Sequence, residues 1–310
     1  MEYVPGEAPG MFIPLFLGAS SFQDMLGLHV IEALLIFTLL YWSGFLINAL
    51  SDVEVDSKYK TFVSESVHIL GEKTLKILII AHVFIAFLIL IHLCYLLNDY
   101  WIFIWVLIGT FFGLAYSVEP FHFKVRGVFH ATLAFGAIFA PIFFLYYVVG
   151  GMPSVPIILI MLTFTMVHYG IALVNQSQDY IEDKDAGLKT PAVRWGLTKT
   201  LRIAFILVLS SLSLSFFGLY WIFSDLPQIV ILGYSLNLWT ILVISITVLI
   251  LGYSIPIRGL WDLTKISLTK DSIEQKMIRI KTRLNYPKWQ ISGIIGLVII
   301  STLYFSMKIL

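Results

Sequence analysis

Nine apolar runs separated by short polar connections leave this chain one kind of fold. They lie near residues 8–22, 27–50, 74–97, 100–117, 127–149, 154–176, 201–223, 228–254 and 289–310. A run of about 20 apolar residues is the length an α-helix needs to cross a bilayer. Of 310 residues, 59% are hydrophobic and only 13% charged. The mean hydropathy of +0.91 lies outside the range of soluble domains. The expectation is an all-α integral membrane protein of nine transmembrane helices, forming one polytopic domain over residues 1–310. The first run is short and carries Pro9 and Pro14. With Pro5 nearby and no basic segment ahead of it, no cleavable signal peptide is expected. Cys94 is the single cysteine and excludes an intrachain disulfide.

Placement of the basic residues orients the runs. Nineteen of the 20 Lys and Arg fall between runs two and three, four and five, six and seven, or eight and nine. The alternate connections, near Asn98-Asp99, Gly150-Gly151 and Ser224-Asp225, carry none. Under the positive-inside rule the basic connections are cytoplasmic and the chain lies in the cell membrane.

Two cytoplasmic helix ends then carry the same polar spacing. One reads Asn48, Asp52, Asp56 and the other Asn175, Asp179, Asp183, with an offset of 127 residues at every pair. Positions i, i+4 and i+8 share one helical face, so each segment presents an amide and two carboxylates as a stripe. The constant offset points to two similar halves, about 1–150 and 151–310, with a site between them. An Asp at the centre of a spanning helix costs about 2.5–3.5 kcal/mol, and four deep ones on the order of 10 kcal/mol. The spans supply almost no Lys or Arg, so a metal or water has to compensate. Mg²⁺ takes oxygen ligands, commonly one or two carboxylates together with substrate phosphates. Asp52, Asp56, Asp179 and Asp183 are the candidate metal ligands, for a cation that bridges to a diphosphate. The plainer alternative leaves Asp56 and Asp183 as solvated charges at helix ends.

Other segments on this side fit around the stripes. Tyr116 and Ser117 leave the fourth run, followed by Lys124 and Arg126. Their hydroxyls can bond a diphosphate oxygen or an acceptor, and the cations can neutralise phosphate. The alternative is an interfacial Tyr with ordinary loop charges. Lys58 and Lys60 follow the first stripe, and Lys184, Lys189 and Arg194 the second. They either close over an anionic leaving group or simply satisfy the positive-inside rule. His168 reads as a packed, hydrogen-bonded residue. Ile273, Met277, Ile280 and Leu284 recur at helical spacing among basic residues, the pattern of an amphipathic interfacial helix.

The two stripes, the Tyr116-Ser117 segment with Lys124, and Gly187 and Pro191 after the second stripe resemble the UbiA superfamily of intramembrane prenyltransferases. The likeness runs over roughly residues 5–305 and is closest in character to divergent, archaeal members. The chain departs from the usual pattern at Ala49, where Asp is common, and at Lys58–Phe62, which replaces an Arg-Pro element. The resemblance implies a bundle with a lateral opening to lipid and Mg²⁺-dependent transfer of an isoprenyl group to a lipophilic acceptor. That acceptor would be an aromatic quinone precursor or a glycerol-phosphate lipid. It implies catalytic roles for Asp52, Asp179, Tyr116 and Ser117. It implies diphosphate binding by Asn48, Asn175 and Lys124, to which Lys60, Arg126 and Lys184 are added as candidates by their positions in the adjoining basic connections. The expected partners are a prenyl diphosphate, the acceptor and the bilayer, with no nucleic acid. Two other classes stand beside this one. A transporter can couple ions through intramembrane carboxylates. A CDP-alcohol phosphotransferase also uses Mg²⁺ and helix aspartates, through a D-G-x-x-A-R element absent here.

Overall fold

A computed structural model describes residues 4–59, 61–225, 229–231 and 234–309. The chain is built from helices: α1 (Val4–Gly18), α2 (Phe22–Leu26), α3 (Leu28–Tyr59), α4 (Thr61–Leu70), α5 (Glu72–Leu97) and α6 (Trp101–Ala115). Then follow α7 (Ala140–Val148), α8 (Val155–Gln178), α9 (Tyr180–Asp185), α10 (Pro191–Trp195) and α11 (Leu197–Ser224). A two-stranded antiparallel hairpin, β1 (Ile229–Ile231) and β2 (Tyr234–Leu236), precedes α12 (Leu238–Leu268), α13 (Ile273–Arg283) and α14 (Tyr286–Ile309).

Seven of these helical segments are long and apolar enough to cross a bilayer. They are Leu28–Lys58, Glu72–Leu97, Phe129–Val148, Val155–Gln178, Leu197–Ser224, Leu238–Leu268 and Lys288–Ile309. Two of the expected spans fall short. Helices α1 and α6 have 15 residues each, so they reach about 22 Å against a hydrocarbon core of about 30 Å. The run expected at 8–22 stops at Gly18 because Ser21 caps a new helix there, its Oγ accepting from Asp24 N at 3.1 Å.

Packing divides into two apolar cores. One gathers residues of α8, α11, α12, α13 and α14 with Ile13 and Leu17 of α1. The other gathers α1, α3, α5, α6 and α7, joined by Phe305 from α14. Helices α8 and α11 lie close along their length because Gly170 and Gly218 each face the partner's backbone. A Cβ on Gly170 would stand 3.1 Å from the Ala204 carbonyl, and one on Gly218 3.1 Å from that of Pro156. Small residues at such crossings let spanning helices gain contact where lipid offers no hydrophobic gain. The chain's two ends also meet: α1 packs on α14, and Lys308 Nζ donates to the carbonyls of Gly18 and Ala19 at 3.4 and 3.1 Å. These are orphan acceptors at a helix C-terminus, where a cation is favoured.

The amphipathic reading of α13 is met in the structure. Ser272 and Gln275 form a capping box. Met277 and Ile280 are buried, while Arg279 and Lys281 stay exposed. Outside the spans, Asp271 precedes this helix with its carboxyl held below the usual range. The Thr269 hydroxyl bonds it at 2.9 Å, and Arg279 adds a second, charged donor. His168 is buried, with Nδ1 3.1 Å from the Phe164 carbonyl oxygen, as a packed intramembrane histidine should be.

Candidate active site

Helix length puts both stripes at the edge of the membrane. Asn48 stands twenty residues after the first residue of α3, and Asn175 twenty after the first of α8. At 1.5 Å per residue both begin about 30 Å along their helices, where the hydrocarbon ends. Asp52 and Asp56 follow on the unbroken helix α3, one face and one turn apart. The second stripe is not on one continuous helix. Helix α8 ends at Gln178, Asp179 caps it with φ −93° and ψ 13°, and α9 begins at Tyr180. The i→i−4 bond survives the break, with Asp183 N donating to Asp179 O at 2.8 Å. Asn175, Gln176, Ser177, Gln178 and Asp179 in succession offer the backbone alternative partners, which helical periodicity alone does not register.

The connection from Tyr116 to Ala131 folds over the first stripe. It turns back on itself through Lys124 N donating to Tyr116 O at 3.0 Å. This carries the Lys124 side chain, 6% exposed, down to α3. Lys124 Nζ bonds and ion-pairs with Asp52 Oδ1. It also reaches Asn48 Oδ1 at 3.3 Å and Ser51 Oγ at 3.4 Å. Ser117 Oγ donates to the same Asn48 oxygen at 3.1 Å. One amide, one carboxylate, one ammonium and two hydroxyls thus form a single network from segments some 70 residues apart. A buried charge needs such a partner, since an unpaired one costs several kcal/mol.

The same connection ties the first stripe to α8. Tyr116 OH lies 3.0 Å from Nε2 of His130, a fully buried ring, whose Nδ1 is 3.4 Å from Tyr169 OH on α8. The Arg194 side chain of α10 lies over Gly127. The two stripes therefore share one end of the bundle, roofed by residues 116–131.

At the second stripe, Gln178 Nε2 donates to Asn175 Oδ1. Asp183 is buried and its Oδ2 accepts from Thr190 Oγ1 at 2.8 Å. The turn between them closes at Gly187, whose φ of +71° an L side chain adopts only under strain. Leu188 N then donates to the Asp183 carbonyl at 2.8 Å, and Pro191 starts α10. Glu182, on α9, accepts from Lys281 of α13 at 2.6 Å, which pins the outer surface of this turn.

Not every expected residue joins these networks. Arg126 is exposed and bonds the Pro120 carbonyl and Glu119 within its own turn. Lys184 is exposed on α9. Lys60 lies outside the described residues. Among the described residues, no three His, Cys, Asp or Glu side chains are gathered closely enough to hold a metal ion by themselves. Sequence reading missed His130 and Thr190. No periodicity marks either, because each earns its place through a contact between distant segments.

A bundle of long apolar helices with paired carboxylates at one end defines an integral membrane protein with a polar, roofed head. The chain belongs to the UbiA prenyltransferase family, whose model matches residues 8–255, and it is a prenyltransferase by that membership. Its fold is similar to solved structures of a UbiA homolog from Archaeoglobus fulgidus. The form bound to GPP and Mg²⁺ superposes with a TM-score of 0.59 at 17% identity, over 96% of this chain and 99% of that one. The form bound to DMAPP and Mg²⁺ gives 0.53 at 16% identity, with the same coverage. The Cd²⁺-bound form gives 0.52 at 18% identity, over 94% and 96% of the two chains. No curated protein sequence matches this chain.

Proposed function

We propose that this protein transfers an isoprenyl group from a prenyl diphosphate to a lipophilic acceptor, with Mg²⁺, at the cytoplasmic face of a bundle made of two similar halves, in which the shorter α1 and α6 join the seven full-length helices as the eighth and ninth spans. The observation that carries the reading is the pair of carboxylate stripes sharing one roofed end of the bundle, each with its own hydrogen-bonded support. The relatives of known structure were determined with GPP or DMAPP and Mg²⁺, which supports the same donor class here. Family membership sets aside the transporter and CDP-alcohol phosphotransferase readings.

The donor set fits Mg²⁺. Asp52, Asp56, Asp179 and Asp183 offer carboxylate oxygens, flanked by the amides of Asn48 and Asn175, with no thiol or imidazole in either stripe. This is the chemistry of a hard cation that completes its shell with phosphate oxygens. Bound by these carboxylates, the ion would supply charge neutralisation to the diphosphate leaving group. Lys124 holds a cation at the same place and helps stabilise charge that develops on the leaving group. Ser117 and Asn48 orient the Asp52 side of the network. Tyr116, aligned by His130, stands over the site from the roof, and that roof limits the water that reaches the reacting carbon. The acceptor is an aromatic quinone precursor or a glycerol-phosphate lipid.

Purified protein, Mg²⁺, labelled prenyl diphosphates of several lengths and a panel of both acceptor classes, read by product mass, test the proposal. Asp52→Ala and Asp179→Ala should each abolish transfer while the protein stays folded in detergent. Full activity in either variant would falsify the site.

A further inference from the structure

A concavity of the described surface lies apart from the stripes. It is a cavity of about 490 Å³ where α10 turns into α11 beneath the junction of α12 and α13. That volume falls in the range of small-molecule sites. None of its lining residues belongs to either stripe or to the 116–131 roof. Trp195, Leu197 and Ile273 supply apolar walls, and Lys199, Arg202 and Lys276 supply three cations. No Asp or Glu lines it.

Lys199 and Arg202 are left to the cavity by what surrounds them, while Lys276 also lies in the field of Asp271. Asp271, the nearest acid in sequence to the α12–α13 turn, is engaged by Thr269 and Arg279. Lys281 is spent on Glu182, and Arg283 on Asp262. Among the described residues, Lys199 and Arg202 have no acidic partner. Lys276 is positioned by its own bond, Nζ to the Ser267 carbonyl at 3.1 Å. Thr198 Oγ1 donates to that same carbonyl at 3.3 Å, which fixes the start of α11 against the end of α12. Helix α11 also has no side-chain cap at Gly196, so its first N–H groups add to the positive field.

Loop cations alone would be what the positive-inside rule provides. Here they surround a recess with apolar walls, at the first turn of the span Leu197–Ser224. That level is where lipid headgroups meet acyl chains. Basic recesses between spanning helices at this level suit phosphorylated headgroups.

We infer that this recess is a second anion site, separate from the diphosphate site, and that it takes the phosphate of an anionic amphiphile with its apolar portion against Trp195, Leu197 and Ile273. The inference does not depend on the proposed prenyl transfer. A ligand here holds α10, α11, α12 and α13 together. Because Thr200 Oγ1 bonds the Pro191 carbonyl at 3.1 Å, it also braces the turn that carries Asp183.

The test uses the full chain in neutral detergent, with binding followed by native mass spectrometry and by melting temperature. Phosphatidylglycerol is the probe, phosphatidylcholine of the same chains the reference, and inorganic phosphate the competitor. Phosphatidylglycerol should bind saturably and raise the melting temperature, and phosphatidylcholine should not. Each cation removed should weaken binding about fivefold, so Lys199→Gln/Arg202→Gln/Lys276→Gln should lose about a hundredfold. Lys265→Gln, a cation at the same end engaged with Trp261, should change nothing. Competition by inorganic phosphate identifies the phosphate as sufficient, and failure to compete shows that the amphiphile is required. Both results support the site. If the triple variant does not fold, Arg202→Gln alone should show the fivefold loss. Unchanged phosphatidylglycerol affinity in either variant, or equal binding of phosphatidylcholine, overturns the inference.

Discussion

Replacing Lys124 by Met probes the link between the roof and the first stripe. Met keeps the length of the aliphatic stem and removes the ammonium. Asp52 then loses its ion pair, and Asn48 and Ser51 lose contacts of 3.3 and 3.4 Å. Removing one partner of a buried pair costs about 3–5 kcal/mol. The Asp52 side chain is 22% exposed, so water recovers part of that, and about 2 kcal/mol is expected in the metal-free protein. At roughly 2 °C per kcal/mol for a chain somewhat larger than the calibrated domains, the melting temperature should drop by roughly 4 °C. A double-mutant cycle isolates the pair. Lys124→Met, Asp52→Asn and the double variant are melted in detergent with chelator. The double variant should be less destabilised than the two singles added together, by about 1–2 kcal/mol, because the second change removes an ion already left unpaired. Additivity within about 0.5 kcal/mol would show that the ammonium and the carboxylate do not interact, and the account of this network would fail.

Three further perturbations address the second stripe, the roof and the α12–α13 turn. Thr190→Val removes the hydroxyl that donates to Asp183 and should raise the KM for the prenyl diphosphate, at a stability cost of about 1–3 kcal/mol; an unchanged KM would detach Thr190 from the site. His130→Phe keeps the buried ring but unties Tyr116 from Tyr169. It should lower kcat more than Tyr169→Phe does, since only the former frees the Tyr116 hydroxyl, and the reverse order argues against an aligning role. Asp271 has a folded pKa depressed below its unfolded value. Its contribution is therefore present above the ordinary carboxylate range and lost as pH falls below it. Hydrogen exchange at 269–283, corrected for intrinsic rates, should stay protected down to about pH 4 and rise below that. Asp271→Asn should show weaker protection at neutral pH, and equal protection there would remove the carboxylate from the turn's stability.

What the sequence made legible follows from which interactions are local. The span Val155–Gln178 is set by hydropathy and length and starts within one residue of the expected run, whereas the run expected from 228 becomes helical only at Leu238, because residues 229–231 and 234–236 pair as a hairpin first. The stripes were legible because i, i+4, i+8 spacing and a fixed offset need no tertiary knowledge. The break at Asp179 was not, since it depends on how five consecutive polar side chains divide their hydrogen bonds. Helices α1 and α6 read as spans from composition, but their ends are set by caps and turns that shorten them to 15 residues. Lys124 could be placed at the same end of the bundle as the first stripe from its loop. Its pairing with Asp52 could not, because that contact spans 72 positions and rests on the fold-back of a turn.

The meeting of α1 with α14 constrains how the chain is made. Ile13, Leu15 and Leu17 are 2–3% exposed in the finished protein. Phe16 packs its ring against Phe305, at a centroid distance of 5.7 Å. Part of the cover over α1 comes from α7, but the α14 residues that complete it leave the ribosome almost 300 positions later, as does Lys308, the donor for Gly18 and Ala19. Such long-range closure is entropically late. During synthesis the first helix is therefore an unsealed flap, too short to be held by the bilayer alone. Helix α14 acts as a latch on it, and a nascent chain in which α14 has not yet packed still presents that flap to chaperones and quality-control proteases.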